Sequence, residues 1–462
     1  MYFLFALLLI IYCSNGQQLD FWLTAPQQNI LFEQQPPIPP STSENIEDEN
    51  IIEINPSVEY QRIDGFGCAL TGGSAFHLSR LDNATRASIL QELFRTDQTN
   101  IGISYLRLSI GASDLNDAPY SYDDIPDHQT DLNMTNFTLD QDRMYVIPIL
   151  KEILAINPQI KLLGSPWSAP VWMKTNKKTI GGHLEDKYFD AYALYFVKYI
   201  QGMQAEGINI DAITIQNEPL YGGNNPSMVM HAKQQADFIK QSLGPLFEKY
   251  SIKTKIVIYD HNPDRPDYPI EVLADPQAKK YVDGSAFHMY AGSINALSLV
   301  HDAYPEKNIY FTEQWVGAPG NITVDTISHV KTLTIGATRN WAKTVLEWNL
   351  ANGPKWEPHT PKGCDNCLGA ITVDQGKVLC PRNPAYYTMA HAAKFVRPNS
   401  TRIESNTFDD LHNVAFKRDE DRKIILIVVN DNEQQSISFS IKLNQTIFHT
   451  YLNSTSVATF IF

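Results

Sequence analysis

Between residues 61 and 349 the chain alternates short apolar, β-branched runs with polar clusters and longer amphipathic stretches. Such a pattern predicts βα units around a parallel sheet. The runs at 61–67, 105–110, 160–165, 212–217, 255–259, 285–290, 308–312 and 344–349 read as strands. The stretches at 86–94, 142–155, 188–206, 232–248 and 294–301 read as helices. Eight strands suffice to close a (β/α)8 TIM barrel.

The two ends follow another pattern. Residues 22–32 read as one strand, the prolines at 36, 37, 39 and 40 with the acidic 41–50 segment read as a linker, and 51–54 resumes strand character. Beyond Arg397 the runs at 413–416, 423–429, 436–441 and 458–462 are short strands separated by Asp, Asn and Ser, with no helical stretch. The N-terminal strands are expected to join this tail in a small all-β sandwich beside the barrel. The division expected is 1–16 leader, 17–60 N-terminal strands, 61–395 barrel and 396–462 sandwich.

Composition narrows the partners. A formal charge of −14, from 51 acidic against 37 basic residues, repels a phosphate backbone, so nucleic acid is excluded as a partner. Residues 1–12 are apolar and stop short of the roughly 20 that span a bilayer; Ser14-x-Gly16 then offers a small-x-small cleavage site. That is the form of a secretory leader. Sequons at Asn83, Asn133, Asn136, Asn321, Asn399, Asn444 and Asn453 agree with export, to the outside or onward to a lysosome or vacuole. Without the leader four cysteines remain. Cys364-x-x-Cys367 has no second pair to complete a metal site, and in an oxidising compartment it reads as a disulfide pinning a loop. No metal or other cofactor is expected.

In a barrel of this kind the chemistry gathers at the C-terminal strand ends. Those ends carry Arg107, Ser165 with Trp167, Asn217-Glu218, Asp260-His261, His288 with Tyr290, Glu313, and Glu347-Trp348-Asn349. Glycoside hydrolysis needs two carboxyls across the scissile bond, one protonated and one ionised. Glu218 and Glu313 end the fourth and seventh strands, and Pro219 stops the chain from running on as a strand.

Several segments carry a family resemblance: Gly65-Phe66-Gly67-Cys68-Ala69-Leu70-Thr71, Leu106-Arg107 with Ala112-Ser113-Asp114, the run from Ser165-Pro166-Trp167 to Thr175, Ile215-Gln216-Asn217-Glu218-Pro219, Phe311-Thr312-Glu313, and Glu347-Trp348-Asn349-Leu350-Ala351. Together they resemble glycoside hydrolase family 30, the glucosylceramidase family, over nearly the whole mature chain. The resemblance implies a retaining enzyme with Glu218 as acid/base and Glu313 as nucleophile. It also implies that Asn217 bonds the sugar 2-hydroxyl, and that Arg107, Asp114, Trp167, His288, Tyr290 and Trp348 line the sugar pocket. Gln314-Trp315-Val316-Gly317 and the Gly363–Cys367 loop look more like microbial members, some of which cleave β-1,6-glucan.

The leading expectation is a retaining β-glucosidase acting on glucosylceramide or a related β-glucoside, with peripheral membrane contact to reach a lipid substrate. The alternative within the family is an endo-β-1,6-glucanase. From another class, a secreted carbohydrate-binding protein without catalysis would lack one carboxylate of the pair, and both are present.

Overall fold

The computed structural model describes residues 18–41, 50–374 and 380–462, so the expected leader and most of the acidic linker lie outside the described residues. Eight parallel strands close a barrel: Gly65–Leu70, Tyr105–Ser109, Lys161–Ser165, Ala212–Thr214, Lys255–His261, Val282–His288, Asn308–Glu313 and Ala342–Asn349. Each pairs with the next, and the eighth closes on the first with Thr344 opposite Gly65. The eight expected runs are all present, with shifted ends. The first strand begins at Gly65, because Gln61 and Arg62 finish the long strand Ile51–Arg62 of the other sheet. The fourth ends at Thr214, three residues short of Asn217.

The helix expected at 142–155 is two, Asp140–Met144 and Val146–Ile156, broken at Tyr145 where φ is −139°. The one at 232–248 runs through a wide turn at Ile239–Leu243. Gly72–Ser79 and Pro384–Ala393 are helices that the pattern did not mark.

The period of two along each strand organises the interior. Tyr105, Leu163, Ala212, Val257, Ala286, Tyr310 and Leu346 form one buried cluster, a layer that plugs the barrel. Two residues further along six of these strands stand Arg107, Ser165, Thr214, His288, Thr312 and Trp348, all buried. Apolar side chains therefore form the floor, and the layer above it is almost wholly polar.

A second sheet has nine strands, with the N-terminal strands hydrogen-bonded to those after residue 400. Leu19–Ala25 pairs with Ser456–Ile461, placing Phe21 opposite Phe460. Ile51–Arg62 lies between Thr401–Ser405 and Ile437–Leu443. Its own core includes Leu23, Ile52, Leu426, Phe439 and Phe460. The single strand expected at 22–32 is two, Leu19–Ala25 and Ile30–Ile38, turned at Pro26–Gln28 by Asn29 in a left-handed conformation at φ 58°. Pro36 and Pro37, read as linker, belong to the second of these. It is an edge strand, where a missing N–H costs no ladder bond.

The sheet grips the barrel through the helix Pro384–Ala393. Its fully buried His391 meets the Thr24 hydroxyl at 2.7 Å and the Thr459 hydroxyl at 2.9 Å, one from each terminal segment. Burial holds this imidazole far below its usual value, at about 3. The unfolded chain binds a proton there near pH ~6.5 while the folded chain stays neutral. Its contribution is therefore complete above about pH 6.5 and is lost progressively as pH falls towards about 3, by up to ~1.4 kcal/mol per pH unit. His391→Phe should flatten that acid limb, measured by urea denaturation from pH ~6.5 down to ~4. Equal slopes for the two proteins would assign the acid sensitivity elsewhere.

Candidate active site

Asp260 is the centre of the polar layer. It is fully buried at the end of the fifth strand. Its Oδ2 accepts from Arg107 Nη2 at 2.7 Å, Ser165 Oγ at 2.8 Å and Thr214 Oγ1 at 2.8 Å. Its Oδ1 accepts from Thr312 Oγ1 at 2.7 Å and His288 Nε2 at 3.1 Å. Burial alone would raise this carboxyl, but the Arg107 charge and these donors hold it well below the carboxylate range.

Strand parity should point Asp260 out of the barrel, since Val257 points in. The register against the sixth strand slips between Tyr259 and His261, and both Tyr259 and Asp260 have positive φ, 71° and 68°. This bulge turns Asp260 inward. Glu218 is also left-handed, at φ 46°, and its N–H bonds the Asp260 carbonyl at 3.0 Å. Three non-glycine residues in a sparsely populated conformation thus meet at one place, as strain tends to do at functional sites.

Arg107 links this hub, Asp260, to the carboxyl pair. Its Nη1 donates to Glu313 Oε2 at 2.5 Å, and its Nη2 also reaches Asn217 Oδ1 at 2.7 Å. The guanidinium lies 4.9 Å from the Trp167 ring, which packs 5.1 Å from Trp348. Tyr290 donates its hydroxyl to Glu313 Oε1 at 2.8 Å. Both oxygens of Glu313 are therefore held by donors. Glu218 faces imidazoles instead, with His288 Nδ1 3.3 Å and His261 Nδ1 3.9 Å from its Oε1.

The two carboxyls titrate as a pair. Burial, with the like charge of Glu218, raises Glu313 against the pull of His288 and Arg107. Burial acts upward on Glu218 too, but the hydrogen bond and charge of His288 bring it below the usual glutamate value. Burial would strip His288 of its proton, yet the Glu313 charge and the bonds to Asp260 and Glu218 lift it to about 9. Burial, helped by the Glu313 charge, pushes Asp114 up to about 7.

Above this layer opens a cleft of about 550 Å³. Asp114, Trp167, Asn217, Glu218, Tyr290, Glu313 and Trp348 line it, while Arg107 and His288 support it from beneath. All nine residues expected at the site are thus brought together. One wall is the loop closed by a disulfide between Cys364 and Cys367; Cys68 and Cys380 are buried free thiols. The Cys364 N–H donates to Asp114 Oδ2 at 3.2 Å, and Gly317 pairs with Cys367 just beyond Glu313. At Gly363 a Cβ would stand 2.6 Å from the Asp114 carbonyl, so only glycine lets the loop come this close.

Sequence reasoning named Ser165, Asp260 and His261 at strand ends but gave them no role, and it missed Thr214 and Thr312 of the supporting shell and Trp315 in the cleft wall. Asp260-His261 stood in view at a strand end, but its inward turn depends on the bulge. Glu347, also at a strand end, points away from the cleft and pairs with His329 at 2.7 Å.

Residues 63–396 match the glycosyl hydrolase family 30 TIM-barrel domain, and residues 399–460 match the glycosyl hydrolase family 30 beta sandwich domain. An endo-1,6-beta-D-glucanase of Neurospora crassa is 36% identical over 399 residues, covering 82% of this chain and 81% of that protein. The lysosomal acid glucosylceramidase of Mus musculus is 27% identical over 420 residues, covering 84% and 79%. A solved endo-beta1,6-glucanase structure superposes with a TM-score of 0.88 at 32% identity, covering 96% of this chain and 99% of that one.

The hub makes a stability prediction. Asp260→Leu leaves the buried guanidinium of Arg107 without its full counter-charge, which should cost ~3–5 kcal/mol in chemical denaturation. Asp260→Asn, which keeps an acceptor, should cost less. A loss under ~1 kcal/mol for the leucine variant would mean that the pair is not what orders this layer.

Proposed function

The chain belongs to glycosyl hydrolase family 30 and is a glycosidase, and on that premise we propose that it is a retaining endo-β-1,6-glucanase with Glu218 as acid/base and Glu313 as nucleophile. This reverses the order that the sequence suggested, where glucosylceramide led and β-1,6-glucan was the alternative. The observation that carries the reversal is the 36% identity with an endo-1,6-beta-D-glucanase, against 27% with a glucosylceramidase.

The cleft mouth agrees. Among the described residues, the exposed large hydrophobics at the cleft are Tyr221 and Tyr290, which both carry hydroxyls. Asn224, Asn262 and Lys362 stand beside them. A two-chain lipid needs an aliphatic landing surface, whereas planar rings with amides and carboxylates suit a sugar chain. Export, expected from residues 1–16 and the sequons, fits a polymer too large to enter a cell.

The two carboxyls each have an oxygen near one nitrogen, His288 Nδ1, at 3.3 Å for Glu218 and 3.6 Å for Glu313. Sharing one nitrogen neighbour is compatible with the ~5–5.5 Å separation of a retaining pair and supports that reading. In the first step a Glu313 oxygen attacks the anomeric carbon while Glu218 gives its proton to the departing glycosidic oxygen, leaving a glycosyl ester. In the second step Glu218 takes a proton from water, whose oxygen displaces Glu313. Bound sugar excludes water and so favours the neutral carboxyl. Before sugar binds the directions run the other way, Glu313 raised and Glu218 lowered, but the proposed roles put the working proton on Glu218, because on Glu313 it would have to displace the Arg107 or Tyr290 donor. Asn217 spends its carbonyl oxygen on Arg107, so its NH2 is free to hold the sugar 2-hydroxyl.

The test sets β-1,6-glucan, glucosylceramide and an aryl β-glucoside side by side. Oligosaccharides released from the glucan with the β anomer formed first support the reading, and faster cleavage of glucosylceramide overturns its substrate half. On the aryl glucoside, Glu313→Gly should lose several orders of magnitude of activity and give the α-glycosyl azide with added azide. Glu218→Ala should keep the first step for a good leaving group and give the β-glycosyl azide. Exchanged azide configurations would swap the two roles.

A further inference from the structure

The polar layer has one buried ring nitrogen without a partner. His261 is 8% exposed, and its Nδ1 makes no hydrogen bond while pointing towards Glu218 Oε1 at 3.9 Å. The same oxygen lies 3.3 Å from His288 Nδ1. One donor atom from each of Glu218, His261 and His288 falls within 4.8 Å of the other two. Two imidazoles and a carboxylate from the ends of adjacent strands converge on one point.

We propose that Glu218, His261 and His288 form a binding site for a borderline divalent cation, Zn2+ or a similar transition ion, whose occupancy shuts down glycoside hydrolysis.

Three features support a cation over a merely polar contact. A tetrahedral zinc ion holds its nitrogen and oxygen ligands about 3.3–3.5 Å apart; the Glu218–His288 contact is already there, and rotation of the His261 ring brings in the third ligand. His288 hands its other nitrogen to Asp260 Oδ1 at 3.1 Å. That carboxylate–histidine arrangement is the outer support that orients metal-bound imidazoles. Around the point stand the carboxylates of Glu218, Glu313 and Asp260, with Arg107 as the fixed positive charge. The fourth position opens into the cleft, for water or a sugar hydroxyl. Two nitrogen ligands favour Zn2+, Co2+ or Cu2+ over Mg2+ or Ca2+, which prefer oxygen. A cation held there occupies the Glu218 oxygen that hydrolysis requires, so binding and turnover exclude each other.

Binding itself does not rest on the proposed function; only its kinetic consequence does. The full-length protein, dialysed against a chelator, is titrated with Zn2+ by calorimetry and with Co2+ by visible absorption. One equivalent bound, with the absorption band of a four- or five-coordinate cobalt site and no comparable uptake of Mg2+, supports the proposal. His261→Phe and Glu218→Gln should each weaken Zn2+ binding by at least ~10-fold, while His183→Ala, at a histidine outside the cleft, leaves it unchanged. No uptake by the unsubstituted protein at 100-fold molar excess, or uptake indifferent to both substitutions, overturns it. Loss of aryl glucoside hydrolysis over the same Zn2+ range, restored by chelator, supports the mutual exclusion. Tight binding at these residues with hydrolysis intact would keep the metal site, overturn the shutdown, and count against Glu218 as acid/base.

Discussion

The arrangement of this active site depends on one buried ion pair, Arg107 with Asp260. Buried pairs are poor sources of stability, because desolvation consumes most of what attraction returns. What the pair supplies is direction. A guanidinium is a rigid planar fork: with Nη2 fixed by Asp260, Ser165 and Asn217, Nη1 can only present itself where Glu313 stands. A lysine would give the charge without the geometry. The orientation of Glu313 and of the Asn217 amide follows from a carboxylate that lies below the cleft floor, and Glu218 is tied to the same residue through its backbone.

Much of this was legible in the sequence because the barrel obeys a local rule. Apolar runs of strand length give eight strands, and their C-terminal ends bring Arg107, Ser165, His288 and Trp348 to one mouth of the barrel; the period of two then sets them in one layer. The role of Asp260 was hidden although it too stands at a strand end. Parity sends it outward, and only the slip beside Tyr259 brings it in. A bulge is a tertiary compromise between neighbouring strands, and one strand's residues do not encode it. The short fourth strand is a related case: the apolar run continues past Thr214, but the chain leaves the sheet so that Glu218 can adopt its left-handed conformation.

Long-range closures were legible only as motifs. Cys364-x-x-Cys367 announced a pinned loop, though not what it pins. In the fold that loop touches three βα connections at once: Asp114 after the second strand, Asn225 after the fourth through its bond to the Pro361 carbonyl at 2.9 Å, and Gly317 after the seventh. Likewise nothing in the pattern around His391 announced that Thr24 and Thr459, from opposite ends of the chain, meet on its two nitrogens. Contacts spanning hundreds of residues leave no periodic trace.

The charge balance of the cleft links its chemistry to its vulnerability. Asp114, Asp260 and Glu313 are buried and Glu218 is half-buried beside them, with Arg107 as the fixed cation. Asp260 is fully engaged by Arg107 and four other donors, and Glu313 by Arg107 and Tyr290. The remaining negative potential falls on Glu218 and Asp114, where burial makes an uncompensated charge costly. Such a site must acquire positive charge. A proton on His288 is one way to supply it, and it is the state that the neighbouring carboxylates favour. A proton on Glu218 is another, and it is the one its proposed role as general acid requires when sugar displaces water. A small divalent ion between Glu218 and the two imidazoles would be a third. The same deficit that would load the proposed acid with its proton therefore also makes the cleft a place where a borderline divalent cation would compete with that proton.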